Sequence, residues 1–202
     1  MIALVDPQPT GFPALLAMAV GLPAFLVSLA FARRRGEPSR GGEEGARKVS
    51  SSWIGIGIQG LGFAAVGFGP MVIRQDPLAP LMLGEGFAVL CLIGVALFLF
   101  LAASRAMGRN WSLVARTRAD HQLVTSGPFA RVRHPIYTGL FAFMIGMAIA
   151  FGHYRALIIG MPLYWIGTWI RVVREERLLR AQFGAEYDAY AARVKRFVPG
   201  LI

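Results

Sequence analysis

The chain has 202 residues, of which 55% are hydrophobic, and a mean hydropathy of +0.54. These values exclude an ordinary soluble domain and are typical of a membrane protein. The formal net charge of +10 fits either a nucleic-acid partner or the basic cytoplasmic side of a membrane protein, and the positions of the basic residues decide between them. The single cysteine, Cys91, lies in an apolar run, which excludes a disulfide framework.

Apolar runs along the chain predict an all-α integral membrane protein with about five transmembrane helices, since a spanning helix needs about 20 mostly apolar residues. The last two runs are short, and only "GHYR" separates them, so we expect a tight hairpin of helices 4 and 5. The second run contains "GIGIQGLGFAAVGFG", whose small residues allow another helix to approach closely. The five predicted runs are residues 12–32, 53–73, 78–103, 136–151 and 156–170.

The basic residues predict how the helices are oriented in the membrane. All but two of the 21 lysines and arginines lie between runs one and two, between runs three and four, or after run five. The exceptions, Arg74 and Arg155, lie in the opposite loops. By the positive-inside rule, the N-terminus is outside and the C-terminus is cytoplasmic. This distribution accounts for the high charge without a nucleic-acid partner, and the polar segment 33–52 is expected to be a basic cytosolic loop.

The stretch "GPFARVRHPIYTGL" introduces the fourth run and carries the first candidate site. Pro135 suits the first turn of a helix, where its missing N–H costs nothing, so His134 lies at the helix entrance. Unpaired N–H groups at a helix start favour an anionic ligand group. The alternative is an interfacial anchor, because arginine, histidine and tyrosine are common at headgroup depth.

The stretch "RVVREERLLRAQFGAEYDAYAARVKRFVP" follows the fifth run. Arg171 and Glu175 are four residues apart and therefore share one helix face. The adjacent carboxylates of Glu175 and Glu176, placed among many arginines, are suited to a cationic ligand or its hydroxyls. The alternative is a surface helix with paired charges and a semi-apolar stripe formed by Leu179, Phe183, Tyr187 and Tyr190.

A third stretch, "GRNWSLVARTRADHQLVTSGPF", precedes the histidine motif. His121 is followed by an extended-looking segment, and Gly127-Pro128 marks a turn. Considered by itself, this stretch is equally well explained as a plain connecting loop.

In their order and spacing, "GRNWS", "DHQLVTSGPFARVRHPIYTGL" and "EERLLRAQFGAEYDAY…RFVP" resemble the isoprenylcysteine carboxyl methyltransferase family, and more loosely the phospholipid N-methyltransferases. The resemblance starts at Gly108 and implies an integral membrane methyltransferase that uses S-adenosyl-L-methionine. It implies a cytosol-facing cofactor site capped by a C-terminal cytosolic helix, and a lipid-like or prenylated acceptor that enters from the bilayer. The chain would then divide into N-terminal transmembrane helices 1–3 (residues 1–107) and a methyltransferase-like catalytic half (residues 108–202).

The resemblance also implies which residues form the site. Arg171, Glu175 and His134 are the expected catalytic residues, and Arg171 would hold the substrate carboxylate. Phe129 stands where the family often has a cofactor-contacting tyrosine, so that contact lacks its hydroxyl. No metal is implied. The expected cofactor-binding residues are His121, Gln122, Leu123 and Val124 on the adenosine side, Phe129, then His134, Pro135, Ile136 and Tyr137 around the methionine portion, and Glu175 and Glu176.

The chemistry leaves several acceptors open. A carboxylate is already ionised at neutral pH and needs no general base, and an arginine can hold it bidentately. An amine, as in a phospholipid N-methyltransferase, would need a proton acceptor such as Glu176 or His134. Two other classes remain: a membrane sterol-type reductase that uses NADPH, and a non-catalytic membrane protein.

Overall fold

The structure is a computed structural model that describes residues 7–35, 47–48, 52–74, 76, 79–108, 111, 116–117 and 122–201. Within these residues the chain is mostly helical, with four two-residue strands paired as β1 with β3 and β2 with β4. The elements in chain order are β1 Pro9–Thr10, α1 Phe12–Arg35, β2 Arg47–Lys48, α2 Ser52–Gly67, β3 Val72–Ile73, α3 Pro80–Met107, β4 Arg116–Thr117, α4 Pro135–Phe151, α5 Leu157–Phe183 and α6 Ala185–Arg193, with short 3₁₀ turns at Gly127–Ala130 and Tyr154–Ala156.

Two predicted helix ends were wrong. The second apolar run was predicted to continue to residue 73, but α2 ends at Gly67, and Val72 and Ile73 pair in parallel with β1. Pro70 lacks an N–H and disfavours helix at the residue before it, which ends the helix despite the apolar sequence. The fifth run was predicted to end at residue 170, but α5 continues to Phe183. Arginine, glutamate and leucine are good helix formers, so the helix persists after its apolar part ends.

Three helices, α1, α3 and the segment Tyr154–Phe183 that contains α5, are long and apolar enough to cross a membrane. The segments Trp53–Gly67 and Pro135–Phe151 are apolar but shorter. At 1.5 Å per residue, the 17 residues of α4 extend about 26 Å, somewhat less than the roughly 30 Å hydrocarbon core. Among the described residues, three helices are therefore candidate membrane spans, and the count of about five stays a prediction.

Glycines bring α2 and α5 into close contact, as the glycine-rich run predicted. A Cβ placed on Gly167 would lie 2.6 Å from the carbonyl oxygen of Gly55, and one placed on Gly62 would lie 2.8 Å from that of Gly160. Such approach is possible only because these residues lack side chains. It places α2 directly against the segment of α5 that carries Arg171.

The short connection predicted between helices 4 and 5 is present, but the two helices do not pack tightly, because α4 packs mainly against α3 and α5 mainly against α2. Gly152 ends α4 in the left-handed region with φ of 71°, and a single 3₁₀ turn leads into α5. Tyr164 on α5 donates a hydrogen bond of 2.6 Å to the carbonyl oxygen of Tyr137 on α4. This bond ties the start of α4 to the first half of α5, and the hydrogen bond from the Tyr137 hydroxyl to Glu175 ties it to the second half.

The segment after α6 returns to the start of α4. The backbone N–H groups of Arg133 and His134 donate to the carbonyl oxygens of Lys195 and Arg196, at 2.8 and 2.9 Å. The Thr138 hydroxyl donates to the Phe197 carbonyl at 3.1 Å. The C-terminal segment therefore lies against the entrance of α4, where the histidine motif stands.

Candidate functional site

The imidazole of His134 lies between two adjacent carboxylates of α5. His134 is the residue preceding α4 and is only 7% exposed. Its Nε2 is 3.2 Å from Oε1 of Glu176, and its Nδ1 is 3.7 Å from Oε2 of Glu175. The structure thus brings together three residues that the sequence placed in two separate motifs.

Glu176 is buried and surrounded by cations. Arg196 donates to both of its carboxylate oxygens, at 3.0 and 2.7 Å, and Arg133 lies 3.5 Å away. These pairs offset the cost of burying the carboxylate. The hydrogen bond to Glu176 is the main cause that raises the pKa of the Arg196 guanidinium above its ordinary value. Glu176 therefore joins α5, the start of α4 and the C-terminal segment.

Glu175 has a different environment, although it is the neighbouring residue. Its side chain is 23% exposed, and its Oε1 accepts a hydrogen bond of 2.5 Å from the Tyr137 hydroxyl. Arg171 Nη2 is 3.9 Å from the same oxygen, which is longer than a hydrogen bond. The Arg171 guanidinium lies over the Tyr137 ring, 5.1 Å from its centroid. Glu175, Tyr137 and Arg171 thus form a second group beside the first, and Glu175 is its most exposed member.

A neighbouring helix contributes to this group. Arg171 Nη1 donates to Oε1 of Gln59 on α2 at 2.9 Å, and Gln59 Nε2 donates to the Thr168 hydroxyl at 2.7 Å. Gln59 and Thr168 are 5% and 0% exposed. Sequence reasoning missed both residues, although a polar side chain inside an apolar run is a functional candidate by default.

A cleft adjoins His134 on the side of α6. Including its open mouth it encloses about 440 Å³ of space. Burial raises the pKa of the Tyr187 and Tyr190 phenols to about 12, so both keep their protons at neutral pH. The Tyr190 hydroxyl donates to the Phe129 carbonyl at 2.7 Å. The residues that line the cleft include Met107, Gln122, Leu123, Val124, Phe129, Arg133, His134, Leu179, Tyr187 and Tyr190.

Most expected cofactor residues are found at these two places. The cleft is lined by Gln122, Leu123, Val124, Phe129 and His134. The adjoining charged groups contain Tyr137, Glu175 and Glu176. Pro135 is fully buried and Ile136 packs against the main hydrophobic core. His121 lies outside the described residues.

Several lining residues were not predicted as site residues, namely Met107, Arg133, Leu179, Tyr187 and Tyr190. Leu179, Tyr187 and Tyr190 belong to the semi-apolar stripe of the sequence, which was the available signal for them. The stripe spans α5 and α6, and the bend at Gly184, with φ of 51°, turns both parts toward one cleft.

The arrangement suits an amphipathic ligand that carries charge. Apolar and aromatic walls favour a ring or an alkyl group, while Glu175 and Arg171 offer one negative and one positive charge within 4 Å of each other. Such a site can hold a cationic group and an anionic group side by side. Holding two reactants close together in a fixed orientation favours a reaction between them.

Comparison with known proteins supports the resemblance seen in the sequence. The phospholipid methyltransferase family matches residues 86–186, half of the chain. The protein-S-isoprenylcysteine O-methyltransferase of Schizosaccharomyces pombe is 31% identical over 94 residues, covering 46% of this chain and 40% of that protein. Protein-S-isoprenylcysteine O-methyltransferase B of Arabidopsis thaliana is also 31% identical over 94 residues, covering 46% of this chain and 48% of that protein.

The alignments span less than half of the length of these two curated relatives. Among solved structures, the eukaryotic intramembrane Ras methyltransferase ICMT superposes with a TM-score of 0.62 and 19% identity. That superposition covers 94% of this chain and 68% of the other. At this identity the likeness shows a shared fold, and it extends to the N-terminal helices that the sequence motifs do not reach.

Proposed function

The chain belongs to the phospholipid methyltransferase family, and from that membership we propose that it transfers a methyl group from S-adenosyl-L-methionine to the carboxylate of a prenylcysteine-like lipid. One observation carries the proposal. His134 lines the aromatic cleft, and the Glu175 carboxylate beside the cleft lies 3.7 Å from His134 and 3.9 Å from Arg171. The printed names of the relatives support the prenylcysteine acceptor.

The residues of the cleft fit S-adenosyl-L-methionine. Leu123, Val124 and Phe129 offer an apolar wall for the adenosine portion, and Tyr187 and Tyr190 add aromatic surface. Glu175, with its partly exposed carboxylate, suits the cationic methionine portion. When bound, this group supplies an electrophilic methyl carbon on a positively charged sulfur.

The chain's own residues have to align the acceptor and exclude water. Arg171 pairs with the acceptor carboxylate and directs one of its oxygens at the methyl carbon. The new carbon–oxygen bond forms as the carbon–sulfur bond breaks, and the bonding electron pair leaves on sulfur. Since the carboxylate is already ionised, no side chain has to accept a proton, and catalysis is mainly proximity and desolvation.

We extend the proposal to the membrane arrangement predicted from the sequence. Five segments would span or enter the bilayer, with the N-terminus outside and the C-terminus and the site on the cytoplasmic face. Residues 1–107 would form the N-terminal bundle and residues 108–202 the catalytic half. The distribution of lysine and arginine supports this orientation. A reporter fused at the C-terminus of the full chain should respond as a cytoplasmic protein, and a periplasmic or lumenal response would contradict the orientation.

The second candidate is N-methylation of a phospholipid amine, which the description of the matching family favours. That reaction requires a side chain to accept a proton. Glu176 is held by Arg196 and Arg133, and its carboxylate is therefore poorly placed to act as a base. A carboxylate acceptor places no such demand on the site.

Calorimetric titration of the detergent-solubilised protein with S-adenosylhomocysteine, beside NADPH, tests the class of cofactor. We expect saturable binding of S-adenosylhomocysteine that is lost in Glu175→Ala. Binding of NADPH alone would support a sterol-type reductase. Binding of neither ligand by folded protein would support a non-catalytic membrane protein.

A further inference from the structure

A chain of polar side chains crosses the interface between α2 and α5. Gln59 of α2 connects Thr168 and Arg171 of α5, through hydrogen bonds of 2.7 and 2.9 Å. All three side chains are buried, at 5%, 0% and 8% exposure. Buried polar groups among apolar helices are costly unless their hydrogen bonds are made, so this chain constrains where each member lies.

The orientation of the Gln59 amide follows from chemistry. A guanidinium can only donate hydrogen bonds, so the amide must present its oxygen to Arg171 and its nitrogen to Thr168. Backbone packing restricts the side chain further, because a Cβ on Gly167 would lie 2.7 Å from both Cγ and the backbone nitrogen of Gln59. Gln59 therefore presents a fixed acceptor to Arg171.

This contact fixes the guanidinium without adding a charge beside it. One edge of Arg171 faces the neutral Gln59 oxygen, and its plane lies over the Tyr137 ring. Arg196, by contrast, is held by the carboxylate of Glu176 at 2.7 Å. The Gln59 amide orients the cation without neutralising it, and the Glu175 carboxylate, 3.9 Å from the guanidinium, is too far to form a hydrogen bond with it, which suits the recognition of an anionic ligand.

We propose that Gln59 and Thr168 are positioning residues that hold Arg171 for the acceptor carboxylate and thereby make the site selective for a carboxylate over an amide or amine. The inference rests on the proposed function and deepens it. Gln59 lies outside the family match at residues 86–186. Helix α2 is therefore part of the acceptor site and not only a membrane anchor.

The test compares binding of two probes by calorimetry in detergent: an N-acetylated S-prenylcysteine with a free carboxylate, and the same molecule as its carboxamide. We expect the wild-type protein to bind the carboxylate at least about tenfold more tightly, in keeping with hydrogen bonds to charged groups. Gln59→Met removes both amide hydrogen bonds and keeps a side chain of similar volume. The ratio of the affinities for the carboxylate and the carboxamide should then fall close to one. Affinity for S-adenosylhomocysteine should stay within about twofold, because Arg171 is not assigned to that ligand.

Thr168 provides a milder variant and a matched control. Thr168→Val removes the hydroxyl that accepts from Gln59 and should reduce the carboxylate preference by about threefold. Thr168→Ser keeps a hydroxyl and should retain the wild-type preference. If Gln59→Met fails to fold, shown by loss of S-adenosylhomocysteine binding, the two Thr168 variants decide the question.

The outcomes separate this inference from the proposed function. An unchanged carboxylate preference in Gln59→Met, with normal S-adenosylhomocysteine affinity, would overturn the positioning role and leave the methyltransferase proposal standing. Wild-type protein that binds S-adenosylhomocysteine but shows no carboxylate preference would overturn both the acceptor and the positioning role. Wild-type protein that does not bind S-adenosylhomocysteine would overturn the proposed function, and the inference with it.

Discussion

Glu175 and Glu176 are neighbours on α5, yet the structure gives them opposite environments. Glu176 is 4% exposed and has Arg196, Arg133 and His134 within 3.5 Å, whereas Glu175 is partly exposed, accepts its hydrogen bond from a tyrosine, and lies 3.7 and 3.9 Å from His134 and Arg171. A carboxylate that is fully paired with cations is best suited to fasten segments together. A carboxylate held by a neutral hydroxyl remains suited to bind a cationic ligand. The partners of an acidic residue, more than its position in a motif, therefore determine whether it holds segments together or binds a ligand.

Because Glu176 is paired with cations, its loss should mainly affect the stability of the protein. Glu176→Gln removes the charge that pairs with Arg196 and leaves that cation and Arg133 uncompensated, which should destabilise the protein by about 3–5 kcal/mol. Thermal unfolding in detergent measures the effect. The double variant with Arg196→Gln should recover part of the loss, since the uncompensated charge of Arg196 is then gone. If Glu176→Gln is as stable as the wild type, the structural role assigned to Glu176 is contradicted.

Glu175→Gln should show the reverse behaviour, with weaker ligand binding and little change in stability. Removing a charge that pairs with a cationic ligand costs about 2–3 kcal/mol of binding, which is about 30- to 150-fold in affinity. Titration with S-adenosylhomocysteine measures it, and the thermal midpoint should stay close to that of the wild type. A large fall in the midpoint without a change in affinity would assign Glu175 to the fastening role instead.

A smaller effect is expected at Tyr137, whose hydroxyl donates to Glu175. Tyr137→Phe keeps the ring beneath Arg171 and removes only this hydrogen bond, so affinity for S-adenosylhomocysteine should fall by about tenfold. The same change in Glu175→Gln background should have less effect, because the charged acceptor is already gone. Equal effects in both backgrounds would show that the hydroxyl acts independently of Glu175.

The smallest effect is expected in the cleft. The Tyr190 hydroxyl donates to the backbone carbonyl of Phe129, so Tyr190→Phe should cost about 1 kcal/mol of stability and leave the aromatic wall in place. Affinity for S-adenosylhomocysteine should change by less than about threefold. A much larger loss of affinity would mean that the hydroxyl contacts the ligand directly.

Local sequence patterns predicted much of this architecture. Apolar runs located helices α1 to α5, and the spacing of Arg171 and Glu175 placed them on one face. The end of α2 was missed because the apolar run continues beyond Pro70, the residue that ends the helix, while the pairing of β3 with β1 is a tertiary effect that an apolar run does not reveal. The continuation of α5 to Phe183 was missed because apolar periodicity stops before helix propensity does.

The site was predictable only where its residues lie in motifs. His134 and Glu175 belong to such motifs, and the structure brings them together. Gln59 lies 112 residues from Arg171 along the chain, so their contact depends on how α2 packs against α5. The pairing of Glu176 with Arg196 likewise depends on the return of the C-terminal segment to α4. Contacts of this kind are set by the fold and have no signature in a local window.

The measurement that tests the central claim most directly is transfer of a labelled methyl group from S-adenosyl-L-methionine by the purified full chain. Three acceptors are supplied in parallel: an N-acetylated S-prenylcysteine, its carboxamide, and phosphatidylethanolamine in the same detergent. We predict label in a base-labile methyl ester of the prenylcysteine alone, and its loss in Glu175→Gln. Label in phosphatidylethanolamine alone would contradict the carboxylate acceptor, and no label in any acceptor, from protein that binds S-adenosylhomocysteine, would contradict a prenylcysteine or phospholipid acceptor altogether.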